Sequence, residues 1–449
     1  MTEDLAILQR RRRWFRPLDG AILLVMLAML VPIGIALCPL VLLTRAYWRY
    51  RAHRRASDKP HSLLILGYNT YDEAVTKGIM DDPNLWYNCG ERFEKVFVYV
   101  ALAEKTSQRR ITDRIRYRQD GDILPGLQIP FAWTLLALRY VRGWWRACFL
   151  ALSADVILVN GPNRSAQIGL VAKLVMGTPA VVFIEAFWEK MLPQQSYIPE
   201  RLRWAVLLWY RLVYRVFDAY CGTASFAADY YAKLGMNVDG IFPYVNNVDV
   251  TALLMAARQS EIPIELQRRD HPWIVTVGRL HNEKKSKSVI DLQYRLAEMG
   301  LHATGVFVGE GPYRDELLCH SMDLGVQDCV LFLGQLPQPQ GMAVAAASDF
   351  YFAPMQGNAL IEAMAAGCCI VAYDNVEHRI YVDDRTAKLV PEGDVEAAAR
   401  AIIELSKDPD QVRKLRSAAR TVALQRYTPE NIADVWFLPF LVIYQRALK

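Results

Sequence analysis

Residues 355–374 read Met355-Gln-Gly-Asn-Ala-Leu-Ile-Glu-Ala-Met-Ala-Ala-Gly-Cys-Cys-Ile-Val-Ala-Tyr-Asp374. Asn358 is a residue type that caps helices, residues 359–366 are strong helix formers, and Gly367 is typical of a helix end. The apolar run at residues 368–373 then predicts a strand. A loop, a short helix and a strand in this order indicate an α/β domain.

The start of this predicted helix suits an anion. Backbone N–H groups and the positive end of the helix dipole would face a phosphate at Gly357 and Asn358. Glu362 lies one turn inside the helix and could reach a neighbouring ribose hydroxyl. An ordinary buried helix of a doubly wound sheet explains the same pattern without any ligand.

From Ser62 onwards the chain alternates short apolar runs with helix-length stretches, which is typical of parallel sheets. The predicted strands are residues 63–66, 95–100, 155–159, 180–184 and 219–221, and then 274–277, 303–308, 330–333, 349–353 and 369–373. The polar segment 256–272 separates the two series and is the predicted linker. We therefore predict an α/β protein with one domain at residues 60–255 and a second at residues 273–430.

Composition supports two domains and excludes several functions. The chain has 449 residues, of which 53% are hydrophobic and 22% charged, so it can bury two cores. Its eight cysteines form no C-x-x-C pair and have no histidine at zinc spacing, which indicates buried thiols in a reducing compartment and no metal site. Asp120-Gly-Asp122 is interpreted as a turn. Hydrolase triads and the Gly-rich loops of dehydrogenases and P-loop enzymes do not occur.

The N-terminal region predicts a membrane anchor. Residues 1–19 are basic, and the apolar run within residues 20–44 is long enough to cross a bilayer. Arginines flank the run on both sides, and prolines and a glycine interrupt it. A single kinked transmembrane span and a re-entrant hairpin both fit these features, with the following domains on the cytoplasmic face of the cell membrane.

Two predicted helices have the composition of a bilayer interface. Residues 131–152 and 201–215 combine arginine with tryptophan and tyrosine, as in Arg142, Trp145 and Arg146. Such side chains sit at headgroup level and meet anionic lipid. We therefore expect the first domain to contact an anionic membrane surface, although helices that merely cover a sheet fit the same positions. No nucleic-acid motif occurs, so nucleic acid is not an expected partner.

Residues 355–374 resemble the donor-binding segment of the family 4 glycosyltransferases, which have the GT-B fold and retain anomeric configuration. Glu362 matches the second glutamate of the family's Glu-x7-Glu segment, whereas Pro354 stands in place of the first. Residues 277–284 resemble the family's Gly-Arg-Leu…Lys segment, with Lys285 where glycine usually follows. The resemblance extends over residues 274–427 and is looser in the first half.

The resemblance implies two Rossmann-like domains that face each other across a cleft, with a C-terminal helix at residues 431–449 that crosses back onto the first domain. It implies that Arg279 and Lys284 bind the donor diphosphate, where cations stabilise the charge of the leaving group. Glu185 ends a predicted strand at the position where many family members have histidine, and its carboxylate could face the acceptor and orient or deprotonate a hydroxyl. An ion pair with a nearby arginine or lysine explains this residue equally well. The other implied donor-binding residues are Gly309, Gly311, Gly334, Gly357, Asn358, Ala359, Leu360 and Glu362.

The predicted function is that of a membrane-associated, retaining glycosyltransferase that needs no metal cofactor. It would move a sugar from a nucleoside-diphosphate sugar to a polyprenyl- or other lipid-linked acceptor in surface polysaccharide or glycolipid biosynthesis. Loss of the first family glutamate leaves an alternative, which is a non-catalytic subunit that binds nucleotide sugar or acts as a scaffold. The sugar, the base and the acceptor are not determined by these patterns.

Overall fold

The computed structural model describes residues 38–54, 57–67, 69–76, 82–101, 103, 105–121, 132–162, 164–184, 200–222, 228–245, 248–281, 284–355 and 357–449. These residues form two compact units. The first contains the described residues up to Tyr244 together with Ala433–Lys449, and the second is Val245–Ile432. Each unit contains its own largely parallel sheet, which confirms the predicted α/β class.

The first unit is built on seven strands of the described chain. They are β1 Ser62–Leu66, β2 Lys95–Val100, β3 Ser107–Arg110, β4 Ile115–Gln119, β5 Val156–Asn160, β6 Ala180–Ile184 and β7 Ala219–Gly222. Its α-helices are α1 Cys38–Arg54, α2 Tyr71–Thr76, α3 Pro83–Asn88, α4 Ala132–Ala151, α5 Arg164–Met176, α6 Arg203–Val216 and α7 Ala228–Lys233. Short 3₁₀ turns lie at Glu200–Leu202 and Val238–Gly240.

The strands of this first sheet run in the order β3-β4-β2-β1-β5-β6-β7. All neighbouring pairs are parallel except β3 with β4. The central strands are apolar throughout because helices cover both faces of the sheet, and every residue of β1 is buried. The five strands predicted for this half occur within a residue of their predicted places, while β3 and β4 were not predicted.

Two segments distant in sequence complete the first unit. Helix α1 is held by Arg51, whose guanidinium lies 2.9 Å from the buried carboxylate of Asp155. The C-terminal helix, α16 Pro429–Leu448, contributes Phe437 and Phe440, whose rings pack 5.2 Å and 5.5 Å from the ring of Phe93. The residues of α16 from Ala433 onwards therefore belong to the core of the first unit.

The second unit is built on six strands, β8 Trp273–Val277, β9 Thr304–Val308, β10 Val330–Phe332, β11 Phe350–Ala353, β12 Ile370–Asp374 and β13 Lys388–Pro391. Its helices are α8 Val250–Ala257, α9 Ile264–Gln267, α10 Lys287–Glu298, α11 Arg314–Asp323, α12 Gln338–Ala347, α13 Asn358–Ala366, α14 Val395–Ser406 and α15 Pro409–Arg426. Turns of 3₁₀ type lie at Gln327–Cys329 and His378–Ile380. The sheet is parallel, in the order β10-β9-β8-β11-β12-β13.

The segment at residues 245–272 differs from its prediction as the end of the first domain and a linker. It folds into α8 and α9 and belongs to the second unit. Val250, Ala257 and Leu266 are buried, and α8 packs on α12 and α13. Val250 and Ala257 lie in the uncharged helix α8, whereas Leu266 lies among charged residues in and after α9. The polar composition of residues 256–272 therefore concealed a covering element.

Most of the predicted anchor lies outside the described residues. Of residues 20–44, the structure describes only those from Cys38 onwards, which form the start of α1. None of the helices that the described residues form is both long enough and apolar enough to cross a bilayer.

Candidate functional site

Three β–α loops meet at the carboxyl edge of the second sheet, and glycine allows their close contact. The N–H of Gly278 donates to the carbonyl oxygen of Val308 at 2.9 Å, and the N–H of Gly309 donates to that of Gly334 at 2.8 Å. A Cβ atom added to Gly309 would lie 2.0 Å from the carbonyl oxygen of Gly278. The φ angle of Gly309 is +140°, where other residues are strained. The three loops therefore interlock through their backbones.

The loop that carries Arg279 is fixed in the same way. A Cβ atom at Gly311 would lie 2.1 Å from the carbonyl oxygen of Leu280. The N–H of Leu280 donates to the carbonyl oxygen of Glu310 at 3.0 Å, and the N–H of Tyr313 donates to that of Leu280 at 3.2 Å. Arg279 is exposed between two anchored neighbours, so the backbone sets the point from which its guanidinium extends.

Lys284 and Lys285 end this loop before α10 begins. The side chain of Lys284 is half-buried, and its main-chain N–H donates to the carbonyl oxygen of His281 at 2.9 Å. Lys285 has a φ of +52°, a left-handed conformation that costs a residue with a Cβ about 1 kcal/mol. This left-handed conformation explains why the family motif has glycine at this position. Here the ammonium of Lys285 forms an ion pair with Glu392.

The fourth loop follows β11, the neighbour of β8, and ends at helix α13. The helix begins at Asn358 with Gly357 as its N-cap, so the prediction that Asn358 caps the helix is wrong by one residue. Asn358 is exposed, Ala359 is half-buried and Leu360 is buried. Gly367 ends the helix in a left-handed conformation, with φ of +77°, as predicted. Parallel strands place this helix start at the same edge as the glycine loops.

Glu362 is 8% exposed and lies inside the first turns of α13. Its Oε1 accepts a hydrogen bond from Nε2 of Gln338 at 2.8 Å. Burial raises the pKa of Glu362, and the hydrogen bond from Gln338 partly opposes that rise. Gln338 was not predicted, because only the packing of α12 beside α13 brings residues 24 positions apart together. The role of Glu362 towards a ribose stays a prediction.

His378 is a second residue that the sequence pattern did not single out. It lies in the turn after β12 and is completely buried. Burial and the nearby charge of Lys285 lower its pKa to about 4, so the imidazole is neutral at physiological pH. A neutral, buried imidazole fits a structural role under the loops better than proton transfer at the surface.

The structure describes only some of the functional residues that were predicted for the first unit. Glu185 lies outside the described residues, since the description of β6 ends at Ile184. Asp120 is fully buried and contacts Arg142 and Arg146, which we expected to face anionic lipid. Across the described ranges, no group of three histidine, cysteine or acidic residues is placed to hold a metal ion.

Comparison with known families gives two matches. Residues 258–422 match the family model described as glycosyl transferases group 1, and residues 89–241 match the glycosyl transferase 4-like domain. A phosphatidyl-myo-inositol mannosyltransferase of Mycobacterium leprae is 31% identical over 196 residues, which is 42% of this chain and 50% of the relative. A 2-deoxystreptamine glucosyltransferase of Streptomyces kanamyceticus is 30% identical over 192 residues, covering 41% and 48% of the two chains. The chain spans about half the length of these curated relatives.

Solved structures agree on the fold. HepE of Anabaena in complex with UDP superposes with a TM-score of 0.62 at 17% identity, covering 83% of this chain and 97% of HepE. Sucrose-phosphate synthase of Thermosynechococcus elongatus gives a TM-score of 0.61 at 16% identity, with 83% and 96% covered. The likeness to these structures confirms the expected α/β fold of GT-B type with two parallel sheets, while the N-terminal anchor and the cleft stay predictions.

Proposed function

Because the chain belongs to glycosyltransferase family 4, we propose that it transfers a sugar from a nucleoside-diphosphate sugar to a lipid-linked acceptor with retention of configuration. The observation that carries the proposal is the convergence of four β–α loops and the start of α13 at one edge of the second sheet. Gly309 and Gly334 lock these loops, and Arg279 and Lys284 lie on the loop next to them.

This edge suits the departure of a nucleoside diphosphate. The leaving group gains negative charge as the bond to the sugar breaks, and preplaced cations and backbone N–H groups stabilise that charge. We assign Arg279 and Lys284 to the diphosphate and the Gly357-Asn358 turn to its phosphate oxygens. We assign Glu362 to the ribose and Glu185 to the acceptor. These roles need no metal ion.

The acceptor is proposed to be lipid-linked, in surface polysaccharide or glycolipid biosynthesis at the cytoplasmic face of the cell membrane. One group of the curated relatives is named for phosphatidyl-myo-inositol, a lipid, while another is named for 2-deoxystreptamine. The apolar run at residues 20–44, with its basic flanks, supports the lipid class for this chain, and we propose an anionic membrane surface as its partner.

One observation favours the alternative of a non-catalytic subunit that binds nucleotide sugar. Pro354 is buried after β11, at the position where the family has its first glutamate, so a carboxylate expected beside the transferred sugar is absent there. A subunit of this kind would bind the donor and fail to turn it over.

The experiment has two stages. Thermal unfolding in the presence of UDP-, GDP- and other nucleotide sugars identifies the donor, because a ligand of the native state raises the unfolding temperature. Release of nucleoside diphosphate is then measured with and without lipid acceptors. Slow donor hydrolysis or transfer supports the enzyme. Tight donor binding without turnover supports the subunit, and the absence of any nucleotide-sugar binding contradicts both.

A further inference from the structure

A buried carboxylate in the first unit gathers three arginines. Asp120 follows β4 and is 0% exposed. Nε of Arg118 lies 3.2 Å from Oδ1 of Asp120, and Nε of Arg142 lies 4.0 Å from Oδ2. Nη1 of Arg146 also contacts Oδ1, and the hydroxyl of Tyr99 donates to Oδ2 at 2.7 Å. We name Arg118, Arg142 and Arg146 the arginine cluster.

The cluster carries more positive charge than Asp120 can neutralise. Burial raises the pKa of Asp120, but hydrogen bonds from Tyr99 and Arg146 and the charges of the arginines outweigh burial and hold that pKa below its usual value. The carboxylate is therefore ionised at neutral pH and balances one guanidinium. The cluster's other acceptors among the described residues are an amide and a main-chain carbonyl oxygen, which are uncharged. Counted over the described residues, the cluster keeps an excess of two positive charges.

These charges are within reach of a ligand. The arginine side chains are 36%, 23% and 33% exposed, so each is partly open to solvent, although Nε of Arg142 is buried. Tyr99 and Asp120 lie at the carboxyl ends of β2 and β4, which are neighbours in the sheet. Ligands of α/β proteins bind at this edge of a parallel sheet. Guanidinium groups also match phosphate oxygens in geometry and charge.

Helix α4 carries an apolar surface beside the cluster. Four apolar side chains on this surface follow one another at helical spacing. They are Leu138, Val141, Trp145 and Phe149, and their exposed fractions are 48%, 52%, 76% and 67%. We name these four residues the apolar stripe. Arg142 and Arg146 each follow a stripe residue by one position, which places them about 100° around the helix. A third face of α4 is buried against α5 through Gly143 and Ala147.

We propose that the arginine cluster binds the phosphate of the acceptor lipid and that the hydrocarbon chains of this lipid lie along the apolar stripe. The inference rests on the proposed transfer to a lipid-linked acceptor and names the chemical group by which that acceptor is held. A lipid phosphate lowers the excess positive charge, and hydrocarbon covers side chains that are costly to leave in water. Helix α4 thus contributes to both halves of an amphiphilic ligand site, and Arg118 of β4 adds to the phosphate half.

The test uses the full chain and dihexanoyl phosphatidylglycerol below its micelle concentration, so that no bilayer takes part. Calorimetry compares this lipid with inorganic phosphate, which has the charge alone, and with dihexanoylglycerol, which has the chains alone. We expect the phospholipid to bind most tightly. Arg142→Gln should weaken its binding roughly tenfold or more, because a charged hydrogen bond is lost. Trp145→Ser should weaken phospholipid binding and leave inorganic phosphate unaffected.

Two matched variants serve as controls. Arg110→Gln removes an exposed arginine that pairs with Asp113, and Met255→Ser removes an apolar side chain that is 66% exposed in the second unit. Neither should change phospholipid affinity. If Arg142→Gln fails to fold, Arg118→Gln replaces it, since that side chain is the most exposed of the cluster. Equal phospholipid affinity in wild type and cluster variants, or inorganic phosphate that binds as tightly as the phospholipid, overturns the proposal.

The outcome is separable from that of the proposed function. Stabilisation by nucleotide sugar reports on the second unit and does not involve the arginine cluster. Donor binding and sugar transfer that persist undiminished in Arg142→Gln, with no phospholipid binding in wild type, overturn this inference alone. If the wild-type protein binds no nucleotide sugar, the proposed function is overturned instead.

Discussion

At the scale of single residues, the cations after β8 are the first to test. Arg279→Ala and Lys284→Ala should each raise the activation barrier by about 2–4 kcal/mol, because each cation acts where charge develops in the transition state. The measured result is a lower kcat/KM for the donor. Both side chains are at least partly exposed, so the unfolding temperature should change little. Lys287→Ala is the control, since Lys287 lies nearby and pairs with Glu316. Wild-type kcat/KM in both variants would refute the assignment to the diphosphate.

Glu362 is the second residue to test. Glu362→Gln keeps the shape of the side chain and removes the charge that strengthens a hydrogen bond to a ribose hydroxyl. We expect donor binding to weaken by about 1–2 kcal/mol, measured as Kd by calorimetry near pH 8. Glu316→Gln, at an exposed ion pair of α11, is the control. An unchanged Kd would assign Glu362 to packing against Gln338.

The burial of Glu362 also predicts a pH dependence of stability. Burial raises the pKa of Glu362, so the folded protein holds this proton more tightly than the unfolded chain does. The free energy of unfolding should therefore fall as pH rises from the ordinary carboxyl value to the raised value, and level off above it. Urea unfolding across this range should show the slope in wild type and lose it in Glu362→Gln. Gln338→Leu should extend the slope to higher pH, and a slope that survives in Glu362→Gln would contradict this reasoning.

At the scale of elements, the interlocked loops depend on the absence of Cβ atoms at Gly309 and Gly311. Gly309→Ala would place a Cβ 2.0 Å from the carbonyl oxygen of Gly278 and force the two loops apart. We expect a loss of stability of about 2–4 kcal/mol together with loss of donor binding, measured by urea unfolding and calorimetry.

Gly300→Ala is the matched control for the loop variant. Gly300 also has a positive φ, of +82°, but no atom lies within 4 Å of its added Cβ. Its cost should be about 1 kcal/mol, from backbone conformation alone, with donor binding intact. If Gly309→Ala and Gly300→Ala lose the same stability and bind the donor equally well, the contact between the two loops does not organise the proposed donor site.

At the scale of the whole molecule, α16 joins a C-terminal segment to the first unit. Phe440 is 1% exposed and packs on Phe93, so Phe440→Ala should destabilise the first unit by about 3–5 kcal/mol. Phe352→Ala, fully buried in the second unit, should act on the second unit instead. Unfolding is measured with and without the donor, which should stabilise only the second unit. If Phe440→Ala lowers only the stability of the unfolding transition that the donor stabilises, the assignment of Phe440 to the first unit is contradicted.

Local patterns were sufficient for much of this protein. Ten strands were predicted within one or two residues, because a strand buried on both faces is a short apolar run that can be recognised without its neighbours. Three strands were missed. β3 was missed because Ser107–Arg110 is a charged edge strand, and the edge strand β13 Lys388–Pro391 was not predicted either. β4 was missed although its alternation, with Ile115 and Tyr117 buried and Arg116 exposed, was present in the chain. The family motifs likewise singled out Arg279, Lys284 and the glycines of the interlocked loops, and the roles of these residues towards a donor stay predictions.

Other features depend on residues that only folding brings together. Gln338 reaches Glu362 because α12 packs on α13, and three arginines surround Asp120 because β4 ends beside α4. The composition of α4 predicted interfacial arginines, but Arg142 donates to the main-chain carbonyl oxygen of Gly121, 21 positions away, and Arg146 contacts the buried carboxylate of Asp120. A hydrogen bond or an ion pair forms between atoms close in space, and chain patterns record only spacing along one element.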